Sequence, residues 1–148
     1  MSDVEQRAAR TRVGPVITLL TVASVWEARL DRELRDVGLT TRKYGLLAHI
    51  RATPGISFSA LARRSQITVQ SAHAAVRTLV DAGMVADATA HAGAASVLRV
   101  TDDGGAALAA ADAVIAALDA ELAATAATLT AALATPHDDS VAPEELLG

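Results

Sequence analysis

The chain has 148 residues, enough for one compact domain with its own core. Hydrophobic residues make up 51% of it but aromatic residues only 2%, and the many alanines favour helices. There is no cysteine, which excludes disulfides, thiolate metal sites and thiol-based redox sensing, and the net charge of −4 does not by itself indicate a nucleic-acid binder. Because each alanine buries little apolar surface, we expect the chain to bury additional apolar surface by forming an oligomer.

The distribution of charge is more informative than its sum. Residues 1–77 carry twelve basic and six acidic side chains, whereas residues 78–148 carry one basic and eleven acidic ones. This asymmetry predicts positive potential on the first half of the chain and a second half that repels phosphate.

The charge-free runs 13–26 and 122–137 are too short to cross a bilayer, so no membrane partner is predicted. The first run follows three arginines and so imitates a signal peptide. However, bulky Trp26 and Glu27 stand where small cleavage-site residues belong. We therefore expect a cytoplasmic protein.

A long amphipathic helix is predicted over about residues 16–37, ended by Gly38. Its apolar stripe consists of Leu19, Ala23, Trp26, Leu30, Leu34 and Val37. A second helix, capped by Thr40 or Thr41, runs to the Thr-Pro-Gly at 53–55, since proline disfavours helical backbone in the residue before it.

Two shorter helices follow. Ser57 is predicted to cap a helix from Phe58 to Arg64, residues 65–67 form a turn, and Thr68 caps a helix from Val69 to Ala82 that stops at Gly83. In this last helix Ala72, Val76, Leu79 and Val80 are expected to share the buried face. The side chains expected together on another face are Gln70, His73, Ala74 and Arg77, with Ser71 at its edge.

Residues 84–88 and 96–100 can pair as antiparallel strands around the tip His91-Ala92-Gly93. Thr101 then caps a final helix up to about residue 134, followed by an acidic tail at 137–148 that we expect to be disordered. The Gly104-Gly105 pair at its start suggests only flexibility. The helix carries a narrow apolar seam formed by Leu108, Ile115, Leu118, Leu122, Leu129 and Leu133. Such a seam favours packing against another helix, which a second subunit would supply.

The predicted fold is therefore mainly α with a small β-hairpin wing: a winged helix-turn-helix over about residues 38–101, between long N- and C-terminal helices at about 16–37 and 102–134. We assign dimerisation to these two helices, with Leu19, Ala23, Leu118, Leu122, Leu129 and Leu133 as contact residues. Because this order of elements is typical of double-stranded DNA binding, we expect Val69 to Ala82 to enter the major groove.

The residue types on that helix suit base recognition. The Gln70 amide can bond to adenine, Arg77 can reach guanine or a phosphate, and His73 can contact a base or, if protonated, a phosphate. Ser71 or Thr68 can donate to phosphate. Arg63 and Arg64 are either phosphate anchors or a solvated pair. The alternative for the whole face, including Ala74, is an ordinary solvated helix surface.

Several short motifs in register from about Val16 to Leu133 resemble the MarR family of bacterial transcription regulators. They are Gly38-Leu39-Thr40, Tyr44-x-Leu46-Leu47, Pro54-Gly55, Leu61-Ala62, Ile67-Thr68-x-Gln70-Ser71, Leu79-x-x-x-Gly83-x-Val85 and Val100-Thr101-x-x-Gly104. The resemblance implies a dimer of winged helix-turn-helix subunits that represses promoters and is released by small, often aromatic or phenolic, ligands. It also implies a wing arginine, but Ala94 stands at that position, so only His91 and Arg99 remain as wing contacts. Arg99 lies on a strand, where it faces either the core or a phosphate.

A ligand pocket is expected between the dimer helices and the DNA-binding lobe. Trp26 and Tyr44 are the aromatic candidates to line it, with His49 and Arg29 as polar partners; the alternative is that both aromatics belong to the core. The four histidines lack metal-ligand spacing, so neither a metal nor a cofactor is predicted. The sequence lacks a nucleophile elbow, a phosphate loop and a zinc-protease motif, so an enzyme is not predicted.

The function predicted from these features is a homodimeric repressor that binds a pseudo-palindromic operator in double-stranded DNA and responds to a small-molecule effector. Because the wing lacks arginine and the second half is acidic, the alternative is a winged-helix dimer that acts mainly in protein interaction and binds DNA weakly.

Overall fold

The computed structural model describes residues 14–88 and 97–134. Its helices are α1 (Pro15–Leu34), α2 (Thr41–Ala52), α3 (Phe58–Arg64), α4 (Val69–Asp81), α5 (Asp102–Thr125) and α6 (Ala127–Leu133). A short 3-10 turn (Arg35–Val37) follows α1, and the strands are β1 (Val85–Asp87) and β2 (Leu98–Val100). In this part of the chain no helix is long and apolar enough to cross a membrane. The predicted wing tip with His91 and the acidic tail at 137–148 lie outside the described residues.

Side-chain caps define where the helices begin, as the sequence predicts. Four hydroxyls each accept a hydrogen bond from a backbone N–H three residues later, which satisfies one of the free donors of a helix N-terminus. These residues are Thr40, Ser57, Thr68 and Thr101. For α2 the cap is thus Thr40, and Thr41 is the first helical residue.

The core lies mainly in the winged helix-turn-helix lobe and at the start of α5. Its fully buried side chains are Leu34, Leu39, Leu46, Leu47, Ile50, Ile56, Leu61, Val76, Leu79, Val85, Leu98, Leu108 and Ala111. Only Leu34 comes from α1, at the last turn of that helix. The remainder of α1 therefore extends away from the lobe and leaves apolar side chains in solvent.

The two strands pair antiparallel with Val85 opposite Val100, Ala86 opposite Arg99 and Asp87 opposite Leu98. The hairpin begins directly after α4, because Gly83 adopts a left-handed conformation (φ 73°) that turns the chain out of the helix. Val85 and Leu98 point into the core, whereas Ala86 and Arg99 face solvent. The base of the wing is thus anchored to the lobe by alternate side chains.

Gly104 permits a close backbone approach that the expectation of simple flexibility missed. A Cβ on Gly104 would lie 2.1 Å from the Met84 carbonyl oxygen and 2.9 Å from Val100, so only glycine fits without a shift. Thr101 holds the same junction, since its N–H donates to the Met84 oxygen and its hydroxyl donates to the Gly83 oxygen. The start of α5 is therefore packed against the start of the hairpin.

Three expectations about the helices require correction. The C-terminal segment is two helices, because the backbone of Ala126 (φ −145°, ψ 60°) leaves the helical region. Just before it, the Thr125 hydroxyl donates to the Glu121 and Leu122 carbonyl oxygens. Hydrogen bonds of this kind from a threonine side chain to the preceding turn bend helices. Leu108 is fully buried in the protomer's own core, so it is not free for an intersubunit seam. Val80 is 37% exposed, because it lies at the edge of the helical stripe formed by Ala72, Val76 and Leu79.

Candidate nucleic-acid interface

Helices α3 and α4 form the helix-turn-helix, joined by the turn at residues 65–67. Gln66 in this turn has φ 52°, the only positive value at a non-glycine position in the described part of the chain. Its N–H bonds to the Arg63 oxygen and the Ile67 N–H bonds to the Ala62 oxygen, both closing the end of α3. The left-handed residue thus redirects the chain into α4.

Helix α4 is anchored by one face and exposes the other. Ala72, Val76 and Leu79 are at most 2% exposed and hold the helix on the core. The opposite face consists of Gln70, His73, Ala74 and Arg77, all of which are exposed. At the N-terminus the Thr68 hydroxyl accepts the Ser71 N–H and donates to the Ser71 hydroxyl. The structure therefore brings the predicted base- and phosphate-contacting residues of α4 together on one surface.

His73 stacks on Phe58, the first residue of α3, a contact that the sequence analysis missed. The ring centroids lie 3.7 Å apart and the planes are inclined by 22°. Stacking covers one face of the imidazole and so favours one orientation of the His73 ring. Helical spacing could not reveal this contact, because the two residues lie fifteen positions apart on different helices.

The basic residues around α4 differ in how they are held. The Arg64 guanidinium donates to the Thr53 hydroxyl at 2.7 Å, which ties the end of α3 to the end of α2. Arg63, Arg77 and Arg99 are exposed and form no ion pair with any described residue. Because Arg99 faces solvent on β2, the alternative that it points into the core is excluded. These free guanidinium groups make the helix-turn-helix surface suitable for an anionic partner.

Two of the four candidate ligand residues, Trp26 and His49, line different clefts. Trp26 faces a cleft of about 200 Å³ between α1 and α5. Arg29 lies over the Trp26 ring, 4.6 Å from its centroid, and pairs with Glu121 of α5. His49 lines a different cleft of about 350 Å³, between α2, Glu27 of α1 and the helix-turn-helix turn. Beside that second cleft the Ser65 hydroxyl is buried without a hydrogen-bond partner among the described residues.

Tyr44 packs against the core and connects α2 to α5. Its hydroxyl donates to Asp112 at 2.9 Å, and Arg51 of the same helix donates to the other carboxylate oxygen at 3.0 Å. Burial, and then the hydrogen bond to Asp112, raise the pKa of Tyr44. The hydrogen bonds from Arg51 and Tyr44 lower the pKa of Asp112. The α2–α5 contact is thus an ordered polar cluster that holds a charged carboxylate.

The residues assigned to dimerisation lie at the periphery of the protomer. Leu19 and Leu133 are each 54% exposed, and Ala23 is exposed too. Leu118, Leu122 and Leu129 are half-buried. Helix α1 also exposes Val16, Ile17, Leu20, Val22 and Val25. In the described residues there is no cluster of three or more His, Cys, Asp or Glu side chains that could hold a metal ion.

Comparison with known proteins agrees with this architecture. A family model described as "MarR family" matches residues 37–93. The MarR family protein Rv2887 of Mycobacterium tuberculosis, solved with salicylic acid, is 30% identical over 78% of this chain and 87% of its own, with a TM-score of 0.61. The same protein solved with DNA is 29% identical over 77% and 85%, with a TM-score of 0.65. The M. tuberculosis transcriptional regulator MosR is 27% identical over 75% and 81%, with a TM-score of 0.62.

No match was found among curated proteins. The winged helix-turn-helix lobe, its exposed α4 face and the flanking helices define a winged-helix transcription regulator. The similarity to Rv2887 identifies the family: the chain belongs to the MarR family.

Proposed function

We propose that the chain is a homodimeric repressor that binds an operator in double-stranded DNA and releases it when a small aromatic ligand binds. The observation that carries the proposal is the exposed face of α4. Ala72, Val76 and Leu79 are buried on one side of the helix, while Gln70, His73 and Arg77 stand in solvent on the opposite side. This is the arrangement in which a recognition helix presents amide and guanidinium groups to base edges.

Charge supports the same surface. The chain is acidic as a whole, but Arg63, Arg64, Arg77 and Arg99 all belong to the helix-turn-helix and the base of the wing, whereas α5 and α6 contain no basic residue. Phosphate contacts from these arginines would provide most of the affinity, and α4 would provide the sequence preference. The complex of Rv2887 with DNA supports this assignment.

The dimer is proposed from exposed apolar surface. Helix α1 leaves five large aliphatic side chains more than half exposed, which a folded protomer in water rarely tolerates. Packing against the helices of a second copy would cover them, together with Leu133 of α6. Two recognition helices related by a two-fold axis require a pseudo-palindromic operator with half-sites about one helical turn apart.

The ligand response is supported by the clefts beside α1 and by the complex of Rv2887 with salicylic acid. We propose no catalytic role, since MarR proteins regulate transcription. A regulator of this family must reach the chromosome, and bacterial DNA lies in the cytoplasm. We therefore place the protein there.

Selection of binding sites from a random duplex pool, followed by a salt titration on the enriched duplex, tests the proposal. We expect a palindromic site to enrich and the log–log slope of affinity against salt to be about −4 or steeper. Failure to enrich any site, or a slope near zero, would instead favour a winged-helix dimer that acts in protein interaction.

A further inference from the structure

Phe58 lies where α3 meets the exposed face of α4. It is the only phenylalanine of the chain and the first residue of α3, whose N-terminus is capped by the Ser57 hydroxyl. The Phe58 side chain is half-buried and packs against the core. Leu61 and Ala62, one turn further along α3, are buried and fix this short helix to the lobe. The cap and the core thus set the position of the Phe58 ring.

The Phe58 ring covers one face of the His73 imidazole. The ring centroids lie 3.7 Å apart and the planes are inclined by 22°. His73 is exposed, and its imidazole forms no hydrogen bond or ion pair with another residue that the structure describes. The stack therefore limits the directions that the side chain can take, while both ring nitrogens stay free for a partner.

His73 occupies the middle of the α4 surface that is proposed to bind DNA. It lies three residues after Gln70 and four before Arg77, and these spacings put the three side chains on one helical face. A neutral imidazole carries one donor and one acceptor nitrogen, and each bonds only in the plane of the ring. Ordering a rotatable side chain at an interface costs binding free energy, and a side chain that is already ordered avoids part of that cost.

We infer that Phe58 is a positioning residue for DNA recognition, whose ring holds His73 in the direction from which the imidazole contacts one base pair of each half-site. The inference rests on the proposed function, because it assigns one part of the sequence preference to a pair of residues on α3 and α4. Phe58 acts through His73 and not by touching DNA. The pair determines the preference at one operator position, whereas the arginines provide affinity for any duplex.

The competing role for His73 is a phosphate contact. Loss of a phosphate contact weakens binding to all duplexes by about the same factor, whereas loss of a base contact removes the preference at one position. Duplexes that differ at a single base pair therefore separate the two roles.

The stack itself can be tested without DNA. Protons over the face of an aromatic ring are shifted upfield, so we expect the imidazole protons of His73 to move downfield in Phe58→Leu, which stays apolar but has no ring. The NMR spectra use the full-length protein, and His73→Gln identifies the signals among those of the four histidines. Phe58→Tyr keeps a ring and should keep the upfield position. Unchanged imidazole shifts in Phe58→Leu overturn the inference.

Sequence preference tests what the stack does. The operator enriched from the random duplex pool (the selected operator) is compared, by fluorescence anisotropy, with duplexes that carry the other base pairs at each half-site position. We expect a preference of about fivefold or more at the position that His73 contacts. His73→Ala should abolish this preference, Phe58→Leu should reduce it at least about threefold, and Phe58→Tyr should retain it. Preferences at the other positions should stay as they are.

Phe58→Leu in the His73→Ala background is the matched control. Because Phe58 acts through His73, the double variant should show no loss beyond that of His73→Ala at this position. Thermal unfolding checks that the variants are folded during the titrations, and Phe58→Met replaces Phe58→Leu if the latter is not. A similar loss of preference at all positions marks Phe58 as merely structural, and an equal loss with all duplexes in His73→Ala marks a phosphate contact; either result overturns the inference.

The outcomes separate this inference from the proposed function. If the protein binds the selected operator and Phe58→Leu keeps the full preference at the His73 position, the inference fails and DNA binding stands. The same holds if His73→Ala changes the preference at no position. If no duplex is enriched, the proposed function fails, and the role of Phe58 in base recognition fails with it, whatever the imidazole shifts show.

Discussion

The Asp31 carboxylate of α1 accepts two hydrogen bonds from Thr41, the first residue of α2, at 2.6 Å from the backbone N–H and 2.7 Å from the hydroxyl. These bonds hold the pKa of Asp31 below its ordinary value. The contact joins the protruding first helix to the start of α2 in the helix-turn-helix lobe.

This relationship predicts a pH-dependent stability. The pKa of Asp31 is lowered in the folded state, so the ionised carboxylate stabilises the fold. This contribution to the free energy of unfolding is fully present above the ordinary carboxylate range and is lost as the pH falls through the lowered pKa. Asp31→Asn should reduce the free energy of unfolding by about 1 kcal/mol at pH 7 and by progressively less as the pH falls below the ordinary carboxylate range. Urea denaturation at fixed protein concentration measures this loss at each pH. Asp36→Asn, an exposed neighbour, is the control, and a loss independent of pH would exclude this role for the Asp31 charge.

Tyr44 should titrate above the ordinary tyrosine range, and it is the only tyrosine of the chain. Burial is the first cause of the raised pKa and the hydrogen bond to Asp112 the second. In Asp112→Asn the pKa should therefore fall but stay above that of free tyrosine. Absorbance of tyrosinate at alkaline pH measures it, with Asp103→Asn at the exposed start of α5 as control. An unchanged pKa in Asp112→Asn would show that the Tyr44–Asp112 bond does not form in solution.

Replacing either of the adjacent glycines at the start of α5 with alanine should change the stability of the protein, but in opposite directions. A Cβ at Gly104 would lie 2.1 Å from the Met84 oxygen, so Gly104→Ala must displace the hairpin and should cost about 2–3 kcal/mol. A Cβ at Gly105 meets nothing within 4 Å, so Gly105→Ala should stabilise the helix by about 0.5–1 kcal/mol. Thermal unfolding of both variants compares them. Similar melting temperatures would be incompatible with this packing.

Gln66 occupies the left-handed position of the helix-turn-helix turn at φ 52°. A β-branched side chain is strained there, whereas glycine is not. We expect Gln66→Val to be less stable than Gln66→Gly by about 1–2 kcal/mol. Equal denaturation midpoints for the two variants would mean that the turn adopts another conformation.

The sequence predicted the elements governed by local rules. Thr68 and Ser57 were recognisable as caps because a cap depends on the N–H groups that follow it directly, and Gly38 and Gly83 as helix ends for the same reason. The exposed face of α4 followed from helical periodicity.

The contacts that the sequence did not predict join residues far apart in the chain. Asp31 to Thr41, Tyr44 to Asp112 and His73 to Phe58 each depend on how helices pack, which periodicity along one helix does not encode. The close approach at Gly104 is of the same kind. For the same reason periodicity did not show that helix packing places Trp26 and His49 at different clefts of the protomer.

The affinity of Arg77→Ala for the selected operator tests most directly whether α4 reads DNA. Arg77 is exposed, pairs with no described carboxylate and lies opposite the buried face of α4, so its removal should leave folding intact. Anisotropy titration should show a loss of about 1–3 kcal/mol, which is about 5- to 150-fold in affinity. Arg32→Ala on α1 removes the same charge away from this surface and should bind nearly as well as the unchanged protein. Equal affinity of Arg77→Ala and Arg32→Ala would contradict the assignment of α4 as the recognition helix.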